Sequence, residues 1–171
     1  MTTDVELIAA LLRTEALKVA PPGEVFWYTS GTVGPYYINT HYLFGGPQPA
    51  RDLLAFIDAS KGDEDFAARL HDRCRVAYGQ VPEYRLTIDA LVTAAGSAAA
   101  DVSAVSGGER RDWFFSAAVA DRLHLPHLLL YKDGEGRRWD GQRVAAAADL
   151  SGIRSLHVAD LVTEASSYTR A

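Results

Sequence analysis

Apolar residues recur at helical spacing near the start of the chain, after an acidic residue that can cap a helix. Ile8 and Leu11 are three residues apart, and the pattern begins after Asp4 and runs to Leu17. The Pro-Pro-Gly sequence at residues 21–23 then stops a helix, because proline cannot donate the backbone hydrogen bond that a helix needs. The pattern therefore predicts a helix from Asp4 to Leu17.

The next segment is rich in aromatic and β-branched residues, which are typical of strands. Residues 25–29 and 36–42 have this character, and the Gly- and Pro-containing residues 30–35 between them form a turn. We expect an antiparallel hairpin joined to the N-terminal helix. The aromatic residues 26–28 are expected in the core, and stacking on a planar ligand is the alternative.

Two further helices are predicted after the glycine pair at residues 45–46. Pro49 opens the first helix, which runs to Ser60, since proline is favoured at the first helical position. Asp63 begins the second helix. The side chains expected to face inward are Leu53, Leu54, Ile57, Phe66, Leu70 and Cys74. Their spacing indicates helices that pack against a core.

The second half of the chain alternates strand-like and helix-like segments. The predicted strands are residues 85–93, 127–131 and 156–159, and the predicted helix is residues 113–123. Residues 143–148 fit a strand or a short helix, and their alanine content favours the helix. Because strand–helix–strand units place their strands in parallel, we expect an α/β protein with a parallel sheet flanked by helices.

The composition limits the class of protein and its partners. A chain of 171 residues fits one domain, and 48% hydrophobic with 23% charged residues is ordinary for a globular protein. The net charge of −5 gives no support to a nucleic-acid partner. Cys74 is the single cysteine, so no intramolecular disulfide can form. Without a signal-like segment or an apolar run of the ~18 residues that a membrane span needs, we expect a soluble cytoplasmic protein.

The stretch most informative about function is residues 155–167. Asp160 stands where the predicted strand ends, and its carboxylate can accept hydrogen bonds from sugar hydroxyls. The loop behind it contains Thr163, Glu164, Ala165, Ser166 and Ser167. Ser166 or Ser167 can cap a following helix. The backbone N–H groups of such a loop can then donate hydrogen bonds to a bound anion. The stretch predicts a cradle for a sugar phosphate, and a purely structural strand–loop junction is the alternative.

Three segments, in this order, resemble the orotate phosphoribosyltransferase family. Residues 26–38, with Ser-Gly and then Pro-Tyr-Tyr, look like that family's N-terminal hood motif. Residues 117–132, a helix followed by Leu-Pro and a strand ending in Tyr-Lys, are similar to a second segment of that family. Residues 158–167 resemble its loop for phosphoribosyl pyrophosphate. The resemblance implies a type I phosphoribosyltransferase fold, which is a parallel sheet flanked by helices with a small N-terminal hood.

The resemblance also implies a function. The enzyme would transfer ribose 5-phosphate from phosphoribosyl pyrophosphate to a planar base, orotate, in pyrimidine biosynthesis, with Mg²⁺ as cofactor and as a homodimer. Lys132, with Arg137 or Arg138 on a mobile polar loop, would neutralise the departing pyrophosphate. Asp160 would hold the ribose hydroxyls, and residues 163–167 would hold the 5′-phosphate.

Base and pyrophosphate contacts follow from the same resemblance. The base-binding residues it implies are Thr29, Ser30, Gly31, Tyr36 and Tyr37. Residues 106–116 occupy the position of the loop that contacts pyrophosphate in that fold. Arg110 and Arg111 in this segment either meet phosphate or a partner, or lie on the surface. Asp112 is expected to cap a helix, and the aromatic residues 113–115 are expected in the core.

The chain departs from the pattern of the resembled family at several positions. Ala159 stands where a second acid is usual, Glu164 puts a carboxylate in the phosphate loop, and Ala165 replaces a usual glycine. Thr29 stands where that family often has lysine, and the mobile loop lacks its second lysine. These departures favour an alternative: a catalytically silent regulatory protein that binds phosphoribosyl pyrophosphate or a nucleotide. An assembly domain with the aromatic hood as its interface is a third hypothesis.

We expect a single domain over residues 1–171, with the hood at about residues 1–48 and the core at about residues 49–171. The resembled family adds a further helix and strand after this point, so the core is either truncated at its C-terminal end or completed in another way. The five histidines share no metal-ligand spacing and are expected to be structural or surface residues. No metal ligand is assigned.

Overall fold

A computed structural model describes residues 4–28, 31–146 and 150–161. The helices in these segments are α1 (Asp4–Arg13), α2 (Pro47–Ser60), α3 (Phe66–Gln80), α4 (Pro82–Ala95) and α5 (Trp113–Leu123). The strands are β1 (Leu17–Val19), β2 (Phe26–Trp27), β3 (Val33–Gly34), β4 (Tyr36–Ile38), β5 (Ala104–Gly108), β6 (His127–Leu130), β7 (Gly136–Trp139), β8 (Val144–Ala146) and β9 (Ser155–His157). Short 3₁₀ helices cover Thr40–Phe44 and Gly96–Asp101. The predicted α/β class is confirmed.

The main sheet has the strand order β8–β7–β6–β5–β9 within the described residues. β5 lies parallel to both neighbours, since Val105 pairs with His127 of β6 and with Leu156 of β9. β7 and β8 are antiparallel additions on one side. Because parallel strands end at the same edge of a sheet, the residues that follow β5, β6 and β9 lie along one edge, where ligands bind in open α/β sheets.

Several elements lie where the sequence predicts them. α2 and α3 begin within three residues of the predicted Pro49 and Asp63. α5 coincides with the predicted helix at residues 113–123, and β6 with the predicted strand at residues 127–131. The predicted inward residues that are buried are Leu53, Ile57, Phe66, Leu70 and Cys74. Leu54 packs against the same core while remaining half-buried.

One apolar core joins the helices to the sheet. α5 packs on β5 and β6, while α3 and α4 pack on α5. Trp113, Phe114 and Phe115 are buried in this core. The indole N–H of Trp113 donates a hydrogen bond to the Gly107 carbonyl at 2.8 Å. The predicted core role of these aromatic residues is confirmed, and Ala10 of the hood belongs to the same cluster.

Gly107 allows α5 to approach the sheet closely. A Cβ atom built on Gly107 would lie 2.2 Å from Ser116 Oγ and 2.7 Å from Ser116 Cβ. Because a packed core resists such overlap, Gly107→Ala should lower the free energy of unfolding by about 1–3 kcal/mol, measured by urea denaturation. Gly79→Ala is the matched control, since Gly79 lies in α3 with no atom within 4 Å of a built Cβ. Alanine there should be neutral or stabilising, and equal losses in both variants would contradict this account.

The hood contains α1 and two small antiparallel strand pairs. β1 pairs with β4 through Leu17 and Ile38, and β2 pairs with β3. The predicted hairpin is partly right, because β2 turns back on β3 whereas residues 36–38 pair with β1. The predicted helix to Leu17 is too long, because Glu15 has a φ of 58°, a left-handed conformation that does not continue a helix.

Two predictions about the hood are wrong. Trp27, one of the aromatic residues 26–28 expected in the core, is 77% exposed. A pair of two-residue strands is too small to cover both of its faces. Residues 40–42, predicted as strand, belong to the first 3₁₀ helix, which buries Leu43 and Phe44. Burial of these apolar side chains outweighs the strand preference of the aromatic residues before them.

Residues 85–93 form part of α4, so their prediction as a core strand is wrong. α4 begins at Pro82, which suits the first turn of a helix. Its buried side chains Tyr84, Thr87 and Ile88 follow helical spacing. Packing of α4 on α3 and α5 outweighs the weak strand preference of its β-branched residues. The first strand of the parallel sheet is instead β5, which is buried over most of its length.

Two further predictions fail at the side of the sheet formed by β7 and β8. The mobile polar loop predicted to carry Arg137 and Arg138 is wrong at these residues, since β7 begins at Gly136 and pairs with β6. The helix favoured for residues 143–148 is wrong in its described part, which forms β8. Pairing with β7 outweighs the helix preference of alanine. The strand predicted at residues 156–159 is confirmed in part as β9, which starts one residue earlier and ends at His157.

Candidate functional site

The edge at which the parallel strands end brings together four of the predicted site residues. Arg110 and Arg111 lie in the turn between β5 and α5, Lys132 follows β6, and Asp160 follows β9. These residues come from three separate parts of the chain, so only the sheet topology places them on one edge. A set of three cations and one carboxylate suits a ligand that carries both phosphate groups and hydroxyl groups.

Asp160 is held by contacts from two other segments. Its Oδ2 accepts a hydrogen bond from the Thr40 hydroxyl at 3.1 Å, and its backbone N–H donates to Asp112 Oδ1 at 2.9 Å. Burial raises the pKa of Asp160, and the neighbouring Asp112 carboxylate raises it further. The Thr40 hydrogen bond and the charge of Arg111 act in the opposite direction. Asp160 is half-buried and is not in an ion pair within the described residues.

Asp112 connects the ends of two strands and does not cap α5 as predicted. Its side chain makes no capping hydrogen bond to the helix. Instead, Asp112 Oδ2 accepts from the Gly108 N–H at 3.1 Å while Oδ1 accepts from Asp160. His157 Nε2 lies 3.8 Å from Asp112 Oδ2. Asp112 thereby positions Asp160 relative to β5, a role that local sequence does not indicate because the two acids are 48 residues apart.

The cations at this edge differ in how they are paired. The Arg110 guanidinium forms an ion pair with Asp58. Arg111 and Lys132 have no ion-pair partner in the described part of the chain. Burial and the charges of Arg111 and Arg110 lower the pKa of His41 to about 4, so this buried imidazole is neutral near pH 7. The unpaired cations leave positive charge available for an anionic ligand.

Glu109, in the turn after β5, is a further half-buried carboxylate at this edge. It accepts a hydrogen bond from the Lys61 ammonium and another from the Lys132 backbone N–H at 3.2 Å. Burial acts to raise the pKa of Glu109, but these hydrogen bonds and the charges of Lys61 and Lys132 hold it below its usual value. Sequence reasoning missed Lys61, because it lies between two helices and 48 residues from its partner.

Arg137 and Arg138 lie in β7, so they are not on the mobile loop that was predicted. The Arg137 guanidinium donates to the Lys61 carbonyl at 3.3 Å and lies over the Tyr131 ring, 5.0 Å from its centroid. Arg138 pairs in the sheet with Leu128. The contacts of Arg137 support the protein's own backbone, and the ligand roles of both arginines stay predictions.

The predicted base-binding residues are only partly described. Gly31 has a φ of +80°, which favours glycine in its turn. Tyr36 and Tyr37 are exposed, and the Tyr37 ring lies 5.9 Å from that of Phe26. Thr40, three residues beyond Tyr37, joins the hood to Asp160. Thr29 and Ser30 lie outside the described residues, as do Thr163, Glu164, Ala165, Ser166 and Ser167.

Other features of the described residues bear on ligand binding. They contain no group of three or more Asp, Glu, His or Cys side chains that could hold a metal ion. None of their helices is long and apolar enough to cross a membrane. A cavity of about 890 Å³ lies between the start of α3 and the β7–β8 pair, lined by Trp139, Arg137 and Glu64 among others. Asp160, Arg110, Arg111 and Lys132 do not line this cavity.

Comparison with known proteins identifies the fold. The structure is similar to that of orotate phosphoribosyltransferase from Francisella tularensis, with a TM-score of 0.52, 15% identity, and coverage of 96% of this chain and 61% of that one. It is also similar to UMP synthase from Leishmania donovani, with a TM-score of 0.51 and 16% identity. That match covers 98% of this chain and 27% of the UMP synthase chain. This chain thus spans less than two thirds of either protein. No family model and no curated protein matches its sequence.

The predicted type I phosphoribosyltransferase fold is therefore confirmed, in the form found in orotate phosphoribosyltransferases. The sheet that carries it is mixed, because the antiparallel strands β7 and β8 extend the parallel strands β5, β6 and β9. At this level of identity the likeness establishes the fold alone, and the chemistry of the site must be argued from its residues.

Proposed function

We propose that this protein transfers ribose 5-phosphate from phosphoribosyl pyrophosphate to a planar base, orotate, giving the nucleoside monophosphate and pyrophosphate. The observation that supports the proposal is the position of Asp160, Arg110, Arg111 and Lys132 along the edge at which β5, β6 and β9 end. The fold supports it, since the two similar structures are an orotate phosphoribosyltransferase and a UMP synthase.

Each part of this substrate has a matching group. The Asp160 carboxylate accepts hydrogen bonds from the two ribose hydroxyls, and Asp112 and Thr40 fix its position. Lys132 and Arg111, which have no ion-pair partner in the described segments, neutralise the pyrophosphate. The loop at residues 163–167, which lies outside the described residues, is assigned to the 5′-phosphate by the resemblance.

The residues fit a magnesium ion that is shared with the substrate. Mg²⁺ is usually bound by one or two carboxylates together with substrate phosphates and water. Asp160 and the adjacent Asp112 offer carboxylate oxygens at this edge. Burial raises the pKa of Asp160, and a bound cation would lower it again by stabilising the ionised carboxylate. When bound, the ion spreads the negative charge of the leaving pyrophosphate.

The protein's contribution to the reaction is positioning and charge stabilisation. The ribose C1′–oxygen bond to pyrophosphate breaks as the base nitrogen forms its own bond to C1′, so no protein nucleophile is required. Lys132 and Arg111 stabilise the charge that develops on the pyrophosphate oxygens. Asp160 holds the ribose so that C1′ faces the base, which the hood residues Tyr36 and Tyr37 stack against.

The direct test of this proposal is to incubate the protein with orotate, phosphoribosyl pyrophosphate and Mg²⁺ and to follow orotate consumption by its absorbance. Uracil, adenine and hypoxanthine serve as competing bases. Consumption of orotate with release of pyrophosphate is the expected result. Consumption of another base in place of orotate would correct the substrate, and the absence of pyrophosphate release with every base would overturn the proposal.

Lys132→Ala should slow turnover by about ten-fold or more, the loss expected when one charge-assisted hydrogen bond to a leaving group is removed. The fold should be kept, because the Lys132 contact with Glu109 is made by the backbone N–H. The measurement is the rate of orotate consumption at saturating substrates, with thermal unfolding as the check on structure. An unchanged rate would remove Lys132 from the site.

A second candidate function is binding without catalysis. The observation that favours it is that Arg137 and Arg138 lie in β7, with Arg137 committed to the Lys61 carbonyl, so the mobile basic loop predicted for catalysis is shortened. Such a protein would bind phosphoribosyl pyrophosphate as a regulator. Calorimetric binding of phosphoribosyl pyrophosphate without consumption of any base would favour this function over transfer.

We also propose a homodimer in the cytoplasm. The exposed apolar side chains Val5, Ile8 and Leu12 on α1 and Trp27 in the hood support an interface between two copies. Burial raises the pKa of the Cys74 thiol to about 12, so this thiol stays protonated near pH 7 and is unreactive. Light scattering of the purified protein tests the assembly.

A further inference from the structure

Two of the three lysines of this chain lie at the same carboxylate. The lysines are Lys18, Lys61 and Lys132. Glu109 accepts from the Lys61 ammonium through one oxygen and from the Lys132 backbone N–H through the other. The Lys61 ammonium is therefore at the edge of the sheet where the phosphate-binding residues lie, although Lys61 belongs to the end of α2, far from them in sequence.

The backbone of Lys61 is fixed by two side chains from the sheet. Its carbonyl accepts a hydrogen bond from the Tyr131 hydroxyl at 3.1 Å and another from the Arg137 guanidinium at 3.3 Å. Tyr131 directly precedes Lys132, and the Arg137 guanidinium lies over the Tyr131 ring. The end of α2 is thus attached to the ends of β6 and β7, so the backbone from which the Lys61 side chain extends is held by the sheet.

The ion pair with Glu109 leaves Lys61 accessible. The Lys61 side chain is 38% exposed, whereas that of Glu109 is 7% exposed. One carboxylate faces two lysines, so the group of Lys61, Lys132 and Glu109 keeps a net positive charge. Glu109 thus neutralises Lys61 in the ligand-free protein, and the positive charge left in the group is that of Lys132.

We propose that Lys61 is a second pyrophosphate-binding lysine of the site, acting beside Lys132, and that Glu109 is the counter-ion from which Lys61 is released when the ligand binds. This proposal rests on the proposed function. It gives Lys61 the role for which Arg137 and Arg138 were predicted, since Arg137 instead supports the Lys61 backbone. Lys61 is placed to contact the leaving group from α2, opposite the turn that carries Arg110 and Arg111.

The experiment measures binding of inorganic pyrophosphate by calorimetry at fixed Mg²⁺ for the wild type, Lys61→Gln, Lys61→Arg and Glu109→Gln. Lys61→Gln and Glu109→Gln both remove the ion pair, so a purely structural role would make them act alike. If Lys61 binds the ligand, Lys61→Gln should weaken the affinity by about ten-fold or more. Glu109→Gln should strengthen it, because a competing negative charge is lost while the amide oxygen still accepts from Lys132. Lys61→Arg should keep part of the affinity.

Lys18→Gln is the matched control, since Lys18 also pairs with a glutamate, Glu15, at 2.9 Å, but lies in the hood. Its pyrophosphate affinity should equal that of the wild type. Equal affinity in Lys61→Gln and Lys18→Gln, a loss in Glu109→Gln, or a wild type that does not bind pyrophosphate would each overturn the proposal. A wild type that binds pyrophosphate but consumes no base would refute the transfer reaction alone, and the affinities of the variants would still decide the role of Lys61.

Discussion

Asp160→Asn should lower the rate of base consumption by about 100-fold, the size of loss seen when a positioned charge-stabilising group is removed from a site. The asparagine side chain has the same shape, and its carbonyl oxygen can still accept from the Thr40 hydroxyl that now bonds the carboxylate. The backbone N–H that donates to Asp112 is unchanged. The loss should therefore come from the missing negative charge at the proposed ribose-binding position and not from unfolding. Steady-state rates over a range of phosphoribosyl pyrophosphate concentrations measure it.

Asp72→Asn is the control for this substitution. Asp72 lies in α3, has a 71% exposed side chain and pairs with Arg75 on the same helix, so its removal should change the rate by less than about two-fold, as for an exposed ion pair. Equal rates in wild type and Asp160→Asn would exclude Asp160 from the mechanism. A fall in thermal stability that matches the fall in rate would assign Asp160 a structural role.

The elements that could be predicted from the sequence are those whose local pattern agrees with their packing. α5 has a continuous apolar sequence of helix-compatible length, and all its residues from Trp113 to Ala120 are buried. β6 carries three consecutive leucines, and β9 overlaps the predicted strand at residues 156–159; both are strands of the parallel part of the sheet. In these segments propensity, apolar pattern and tertiary contacts all favour the same conformation, and such agreement makes a prediction reliable.

The failures occur where tertiary contacts decide between two conformations that the local sequence allows. Residues 85–93 carry β-branched residues but form α4, because Pro82 starts a helix whose buried side chains pack on α3 and α5. Residues 144–146 are alanine-rich but form β8 because β7 is available to pair with them. Neither partner can be read from the segment itself.

The sequence motifs named Asp160 and Lys132 as candidate site residues. They did not indicate which residues contact and position this edge of the sheet. Asp160 and Lys132 stand at strand ends, a place that sequence patterns can locate. Asp112 and Lys61 reach this edge from other elements through the contacts of Asp112 with Asp160 and of Lys61 with Glu109. Both contacts join residues 48 positions apart, and no local periodicity indicates such a pairing.

A buried chain of hydrogen bonds between α3, α5 and β6 gives the fold a dependence on pH. His71 Nδ1 lies 2.7 Å from Asp121 Oδ1, His71 Nε2 lies 3.0 Å from His127 Nδ1, and His127 Nε2 lies 2.8 Å from Ser116 Oγ. Two assignments of protons satisfy every contact. With a neutral His71, His71 donates to Asp121, His127 donates to His71, and Ser116 donates to His127; with a protonated His71, His71 donates to both Asp121 and His127, and His127 donates to Ser116. Both assignments require a neutral His127.

The stability of the protein should therefore fall as the pH drops below about 6.5, the pKa of an unperturbed histidine. Burial, and then the charge of His71, lowers the pKa of His127 well below its usual value in the folded protein. Below pH 6.5 the unfolded chain binds a proton that the folded chain does not, so unfolding is favoured by about 1.4 kcal/mol per pH unit for each such group. His41, with its pKa lowered to about 4, acts in the same direction. Asp160, with its raised pKa, acts in the opposite one.

Urea denaturation at several pH values between 7.5 and 5 measures this dependence, with His127→Asn and His124→Asn as the variants. Asparagine at 127 can still donate to His71 but cannot titrate. This variant should therefore be less stable at pH 7.5. Its free energy of unfolding should also fall less steeply on acidification, by about 1.4 kcal/mol per pH unit less than that of the wild type. His124 has a φ of 54° at the end of α5, a conformation that asparagine tolerates. His124→Asn should keep the wild-type slope. An unchanged slope in His127→Asn would mean that the buried imidazole titrates alike in the folded and unfolded chains.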